Sequence, residues 1–153
     1  MTGTGVQMLR AGLLGVFFAL MTVLPVQAND RVAEAEQLEA DQIDGHLSYF
    51  DVDSATLRTP TISGLLFVAE YLEANPDQRI LVEGHCDERG TRDYNLALGE
   101  KRAEAIRRQL VRQGIDRRRI KTKSFGKERP AMLGASPEAW AKNRRTVIRL
   151  ISD

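Results

Sequence analysis

Leu96, Gly99, Ala103, Ile106 and Leu110 recur at spacings of 3, 4, 3 and 4, and no other feature constrains the fold of this chain as strongly. Residues so spaced share one side of a helix. The pattern predicts a helix from about Asp93 to Gln113 whose apolar face packs on a sheet, with Gly114 as its stop. The sheet is supplied from both sides of it. Arg79-Ile80-Leu81-Val82-Glu83-Gly84 reads as a strand with a buried apolar centre, and Arg119 to Phe125 alternates as another. His46 to Phe50 is a shorter strand, and Thr146 to Ile151 a fourth, with Val147 and Leu150 among its apolar members. A second amphipathic helix carries Ile62, Leu65, Leu66, Ala69 and Leu72 on one face and ends at Asn75-Pro76-Asp77. Pro137 to about Ala141 makes a helical turn or two. The order β-α-β-α-β-(short α)-β predicts an α/β, two-layer sandwich, its helices packed on one mixed four-stranded sheet.

Ahead of this unit the chain changes character. Arg10 closes a weakly basic start, and Ala11 through Asn29 carries no charge. The apolar run from Leu13 to Leu24 is broken by Pro25, and Val26-Gln27-Ala28 then offers small residues before a cut. This is the order of a secretory signal peptide over residues 1–28. An uncleaved inner-membrane anchor is the alternative, since nineteen uncharged residues just span a bilayer. Residues 29–45 form a charged linker or lead-in helix, and 46–153 the folded domain. About 125 residues remain after the leader, enough to bury a core without disulfides or metal. Cys86 is the single cysteine, so no intramolecular disulfide forms, and no cysteine near Ala28 is available for acylation. No lipid anchor is therefore expected.

The formal net charge is only +1, but residues 30–100 hold 5 basic and 16 acidic residues, and residues 101–153 the reverse, 16 and 5. Both halves enter one fold, where those charges interleave. The run Arg107-Arg108, Arg112, Arg117-Arg118-Arg119, Lys121 and Lys123 lacks interleaved aromatic residues for base stacking, and an exported chain does not meet nucleic acid.

Functional groups concentrate in the loop after the second strand, Glu83-Gly84-His85-Cys86-Asp87-Glu88-Arg89-Gly90-Thr91, where Gly90 is free to take a positive φ. On the helix it feeds, Asn95, Leu98 and Arg102 sit at i, i+3 and i+7 and share a face. Asp87, Asn95 and Arg102 would then converge on one cleft suited to a zwitterion, with ammonium against Asp87 and carboxylate against the Arg102 fork. The alternative is an Asp87–Arg102 ion pair that merely ties loop to helix.

His85-Cys86-Asp87-Glu88-Arg89-Gly90-Thr91, then Tyr94-Asn95, Leu98-Gly99 and Arg102-Ala103, resembles the signature of the OmpA-like peptidoglycan-binding domain family. The likeness is nearest its peptidoglycan-associated lipoprotein branch. Tyr49-Phe50-Asp51 with Asp53-Ser54, Ser124 to Pro130, and Trp140 through Arg145 extend it in the family's order over roughly His46 to Ile151. The resemblance implies a periplasmic module that holds the diaminopimelate residue of peptidoglycan stem peptides and needs no cofactor. It implies that Asp87 meets the ligand's ammonium and Arg102 its carboxylate. Asn95, Thr91 and Leu98 would line the same pocket, with Asp51 beside it and Arg144 or Arg145 adding charge at the rim. It also raises a second role, as an interaction scaffold in the Tol-Pal or division machinery that docks the Tol β-propeller protein. The chain departs from the branch in lacking the lipidated cysteine.

Catalysis and metal binding are not expected. His85 and Cys86 are adjacent and point to opposite sides of a strand, and His46 adds no paired spacing of a structural zinc site. A Cys86 nucleophile would need a base in reach and an oxyanion hole. Buried packing is the simpler account of this thiol.

Overall fold

The computed structural model describes residues 28–152, so the segment read as a signal peptide lies outside the described residues but for Ala28. The elements run α1 (Ala28–Ile43), β1 (Leu47–Tyr49), α2 (Thr59–Ala74), β2 (Arg79–His85), α3 (Arg92–Arg112), a 3-10 turn (Arg117–Arg119), β3 (Ile120–Gly126), α4 (Pro137–Asn143) and β4 (Arg145–Ile151). From β1 onward this is the predicted order. Of the two forms left open for the lead-in, the helix is the one seen. It is acidic, its described side chains are mostly exposed, and Ile43 in its last turn is fully buried. Among the described residues no helix is long and apolar enough to cross a membrane.

The sheet is ordered β1-β4-β2-β3. β2 and β3 are parallel, joined by the α3 crossover, while β4 runs antiparallel to both β1 and β2. The C-terminal strand is thus central. Along β2, Ile80 and Val82 are fully buried and face the helices, while Arg79, Leu81 and Glu83 alternate onto the other face. The register sets Ile80 beside Ile120 and Val82 beside Ile148, so these side chains form one layer. Leu65, Val68 and Leu72 of α2 and Ala103, Ile106 and Leu110 of α3 close over it.

One apolar assignment differs from the periodicity. On α2, Ile62 and Leu66 are exposed, whereas Val68 and Tyr71 are buried beside Leu65, Ala69 and Leu72. The helix has apolar residues most of the way round, so packing against α3 and α1 selected the buried side. On β4, Val147 pairs with Leu47 and Glu83 on the face away from the helices, and Ile148 is the residue that enters the core.

The close fit of α3 to β2 depends on two glycines. A Cβ on Gly84 would lie 2.6 Å from the carbonyl carbon of Gly99 and nearer still to its oxygen. Below this crossing α3 packs through its small and aliphatic face. Above it, the helix start is held over the end of β2, where the loop residues emerge. Thr91 caps that start, its Oγ1 accepting from the Tyr94 backbone N–H at 3.3 Å.

Candidate functional site

The end of strand β2 delivers Cys86 to the floor of a cleft, and the chain then turns through Asp87 to Gly90, where φ is +88° as the sequence expected. Asn95 clasps this loop from α3: its side-chain amide donates to the carbonyls of Arg89 at 2.7 Å and Thr91 at 3.1 Å. The loop between β1 and α2 forms the opposite wall. Between them lies an open cavity of about 300 Å³ lined by Val52, Asp53, Cys86, Asp87, Arg89, Gly90, Tyr94, Asn95, Leu98, Arg102 and Arg144.

Five of the seven residues singled out from the sequence therefore line one cleft: Asp87, Asn95, Leu98, Arg102 and Arg144. Thr91 does not; its hydroxyl is the helix cap. Asp51 does not either, because its carboxylate pairs with Arg58 and only its backbone carbonyl reaches toward the site.

Arg102 is completely buried. Its Nε donates to Ser54 O at 2.8 Å, Nη1 to His85 O at 2.9 Å and to Cys86 Sγ at 3.4 Å, and Nη2 to Asp51 O at 3.0 Å. Four bonds from five N–H groups leave at most one for a ligand. The side chain fastens the β1–α2 loop to the end of β2. Burial lowers its pKa, yet a guanidinium stays charged in proteins. Cys86 completes the floor: its thiol is buried, donates to Asn95 O at 3.3 Å, and is raised in pKa chiefly by desolvation.

Asp87 is paired with Arg89 and Arg144 rather than with Arg102. Arg89 Nη2 lies 2.7 Å from Oδ2, its Nε 3.2 Å from Oδ1, and its backbone N–H also donates to Oδ1 at 3.2 Å. Arg144 Nη1 reaches Oδ2 at 3.2 Å while its Nε holds Phe50 O at 3.1 Å. Burial would raise the Asp87 carboxyl, but the hydrogen bonds from Arg89 and Arg144 and the charge of Arg89 hold it below the usual range. Arg89 was not among the candidates, although its place two residues after Asp87 in a turn was a usable signal. Tyr94, hydrogen-bonded to Asp53 across the mouth, and Val52 were missed as well.

His85 lies under the other face of the sheet, 2% exposed, with its ring stacked on Phe125 at 5.5 Å between centroids. Burial, then the guanidiniums of Arg145 and Arg129, push its pKa from 6.5 down to about 4; Arg149 adds to this, and a backbone hydrogen bond at Arg129 opposes it. The carboxylate of Glu83, 3.7 Å from Nε2, is the acid that faces it. Because the folded pKa lies below the unfolded one, the unfolded chain binds the extra proton first. Stability is full above about pH 6.5 and is lost as pH falls toward 4, by on the order of 2–3 kcal/mol. Thermal melts of wild type and His85→Phe should diverge across that window and run parallel above it; melts that stay parallel throughout would refute the buried-neutral assignment.

Among the described residues no group of three or more His, Cys, Asp or Glu side chains is clustered to hold a metal ion. The cleft offers fixed charge of both signs and no base poised on a nucleophile.

Comparison with known proteins adds to this geometry. The model of the OmpA family matches residues 49–144. The peptidoglycan-associated lipoprotein of Pseudomonas aeruginosa is 45% identical over 101 residues, covering 66% of this chain and 60% of that protein. That of Mesorhizobium japonicum is 45% identical over 106 residues, covering 69% and 63%. The chain thus spans about 60% of the length of the curated relatives it matches. Among solved structures, the peptidoglycan-associated lipoprotein from Burkholderia pseudomallei superposes with a TM-score of 0.67 at 43% identity, covering 69% of this chain and 89% of that one. The C-terminal domain of Helicobacter pylori MotB superposes with a TM-score of 0.65 at 20% identity, over 71% and 85%, a likeness of fold alone.

Proposed function

The chain belongs to the OmpA family, and on that premise we propose that it is a periplasmic, non-catalytic module that binds peptidoglycan through the diaminopimelate residue of its stem peptides. Its role is cell-envelope integrity. The observation that carries this reading is Asp87, a buried carboxylate held in a cleft beside Arg102 and Arg144. A zwitterionic head fits such a site in one orientation, with its ammonium on Asp87 and its carboxylate toward the guanidiniums. Arg144 is the better placed of the two to receive the carboxylate, because its side chain is 14% exposed and its hydrogen bonds to Phe50 O and Asp87 use Nε and one N–H of Nη1. Leu98 supplies an apolar contact for the ligand's methylene chain. The names of the relatives, which are peptidoglycan-associated lipoproteins, support the same ligand class.

Asp87→Asn keeps the shape of the side chain and removes its charge. Losing a charge-assisted contact of about 1.5–3 kcal/mol should weaken binding by about tenfold or more. Co-sedimentation with purified diaminopimelate-type sacculi measures it, with circular dichroism to establish that the variant is folded. Equal pelleting of variant and wild type would refute the site, and no pelleting of either would refute the function.

A further inference from the structure

We propose that Arg89 is a resident counter-ion of Asp87, exchanged for the ligand's ammonium when the wall peptide binds; this rests on the peptidoglycan reading above. The cleft is lined by three guanidiniums, Arg89, Arg102 and Arg144, against two carboxylates, Asp53 and Asp87. In that state it carries an excess of positive charge and both oxygens of Asp87 are engaged, so an incoming ammonium meets neither a free acceptor nor a favourable field. One guanidinium has to leave.

The contacts identify which one. Arg102 is fully buried and bonded to three backbone carbonyls, and Arg144 is tied to Phe50 O as well as to Asp87. The Arg89 side chain is 42% exposed, and its guanidinium hydrogen bonds run to Asp87. It also already rests on a second platform, its guanidinium carbon 4.3 Å from the centre of the Trp140 ring. Glu88 sits at the edge of that platform, accepting from Trp140 Nε1 at 3.1 Å, and its carboxylate is at hand for a displaced guanidinium. Released from Asp87, Arg89 would remain on the indole and trade one carboxylate for the next. The cleft would then hold balanced charge, two guanidiniums against two carboxylates, which matches a zwitterionic ligand.

The exchange makes Arg89 a competitor, so its removal strengthens binding. Asp87 stays oriented in Arg89→Ala, because the backbone N–H of residue 89 and Arg144 still hold it. Titration calorimetry with a diaminopimelate-containing stem tripeptide should give about threefold to tenfold tighter binding to Arg89→Ala than to wild type. Arg89→Lys, which restores a competing cation, should return to near the wild-type affinity. Trp140 is the only tryptophan in the chain, and the exchange brings the guanidinium onto Glu88, the acceptor of its indole N–H, so its emission reports the exchange. It should change as wild type saturates and stay unchanged in Arg89→Ala. If wild type binds and Arg89→Ala binds equally or more weakly, the exchange is overturned while the wall-binding reading stands. If none of the three proteins binds the tripeptide, both fall together.

Discussion

Arg102→Ala is expected to destabilise the fold by about 3–5 kcal/mol, enough to lower the melting temperature by on the order of 10–20 °C. The guanidinium is 0% exposed and holds Ser54 O, His85 O and Asp51 O, so truncation leaves three carbonyls with a lost partner and opens a cavity above Cys86. The β1–α2 loop would detach from the end of β2, and sacculus binding would fall with it because that loop is one wall of the cleft. Arg102→Lys should recover only part of the stability, since one ammonium cannot reach carbonyls spread around a planar fork. Urea denaturation of the three proteins separates the possibilities. An Arg102→Ala protein as stable as wild type that no longer binds sacculi would mean that Arg102 serves the ligand and not the loop.

Gly84→Ala should be nearly as damaging, at about 3 kcal/mol or more, although it adds a single methyl. The new Cβ would overlap the Gly99 carbonyl, and backbone cannot rotate out of the way as a side-chain tip can. α3 would have to lift from β2 at the crossing that positions its first three turns. Asn95, Leu98 and Arg102 all move with those turns, so loss of stability and loss of binding should appear together. Thermal melts and sacculus co-sedimentation on the same preparation check this. A variant melting within a degree or two of wild type would show that the helix and strand have room between them.

The contrast between these two positions marks how far sequence reasoning reached. The face of α3 was readable because 3.6-residue periodicity records which side of a helix is apolar, β2 because an apolar run bounded by polar turns records burial, and β3 because its residues alternate between faces. Gly90 was readable because a tight turn selects glycine. α2 was misread at Ile62 and Leu66 because a helix apolar on several sides does not say which side its neighbours will cover. The position of β4 between β1 and β2 was not readable, since strand order depends on pairing across the chain rather than on local pattern.

The same division runs through the cleft. Residue order alone determined that Asp87, Asn95, Leu98 and Arg102 sit on one loop and one helix face, and it carried the family signature. What only the tertiary structure decided is how the charges are used. Arg102 bonds to carbonyls 48 and 51 residues away, which exist as partners only once the β1–α2 loop is folded over α3. Arg144 reaches Asp87 from 57 residues away, at the end of α4 just before the last strand. Spacing along a helix states which side chains can face the same way. Which of several arginines meets a given carboxylate is settled by backbone acceptors and burial that distant segments supply.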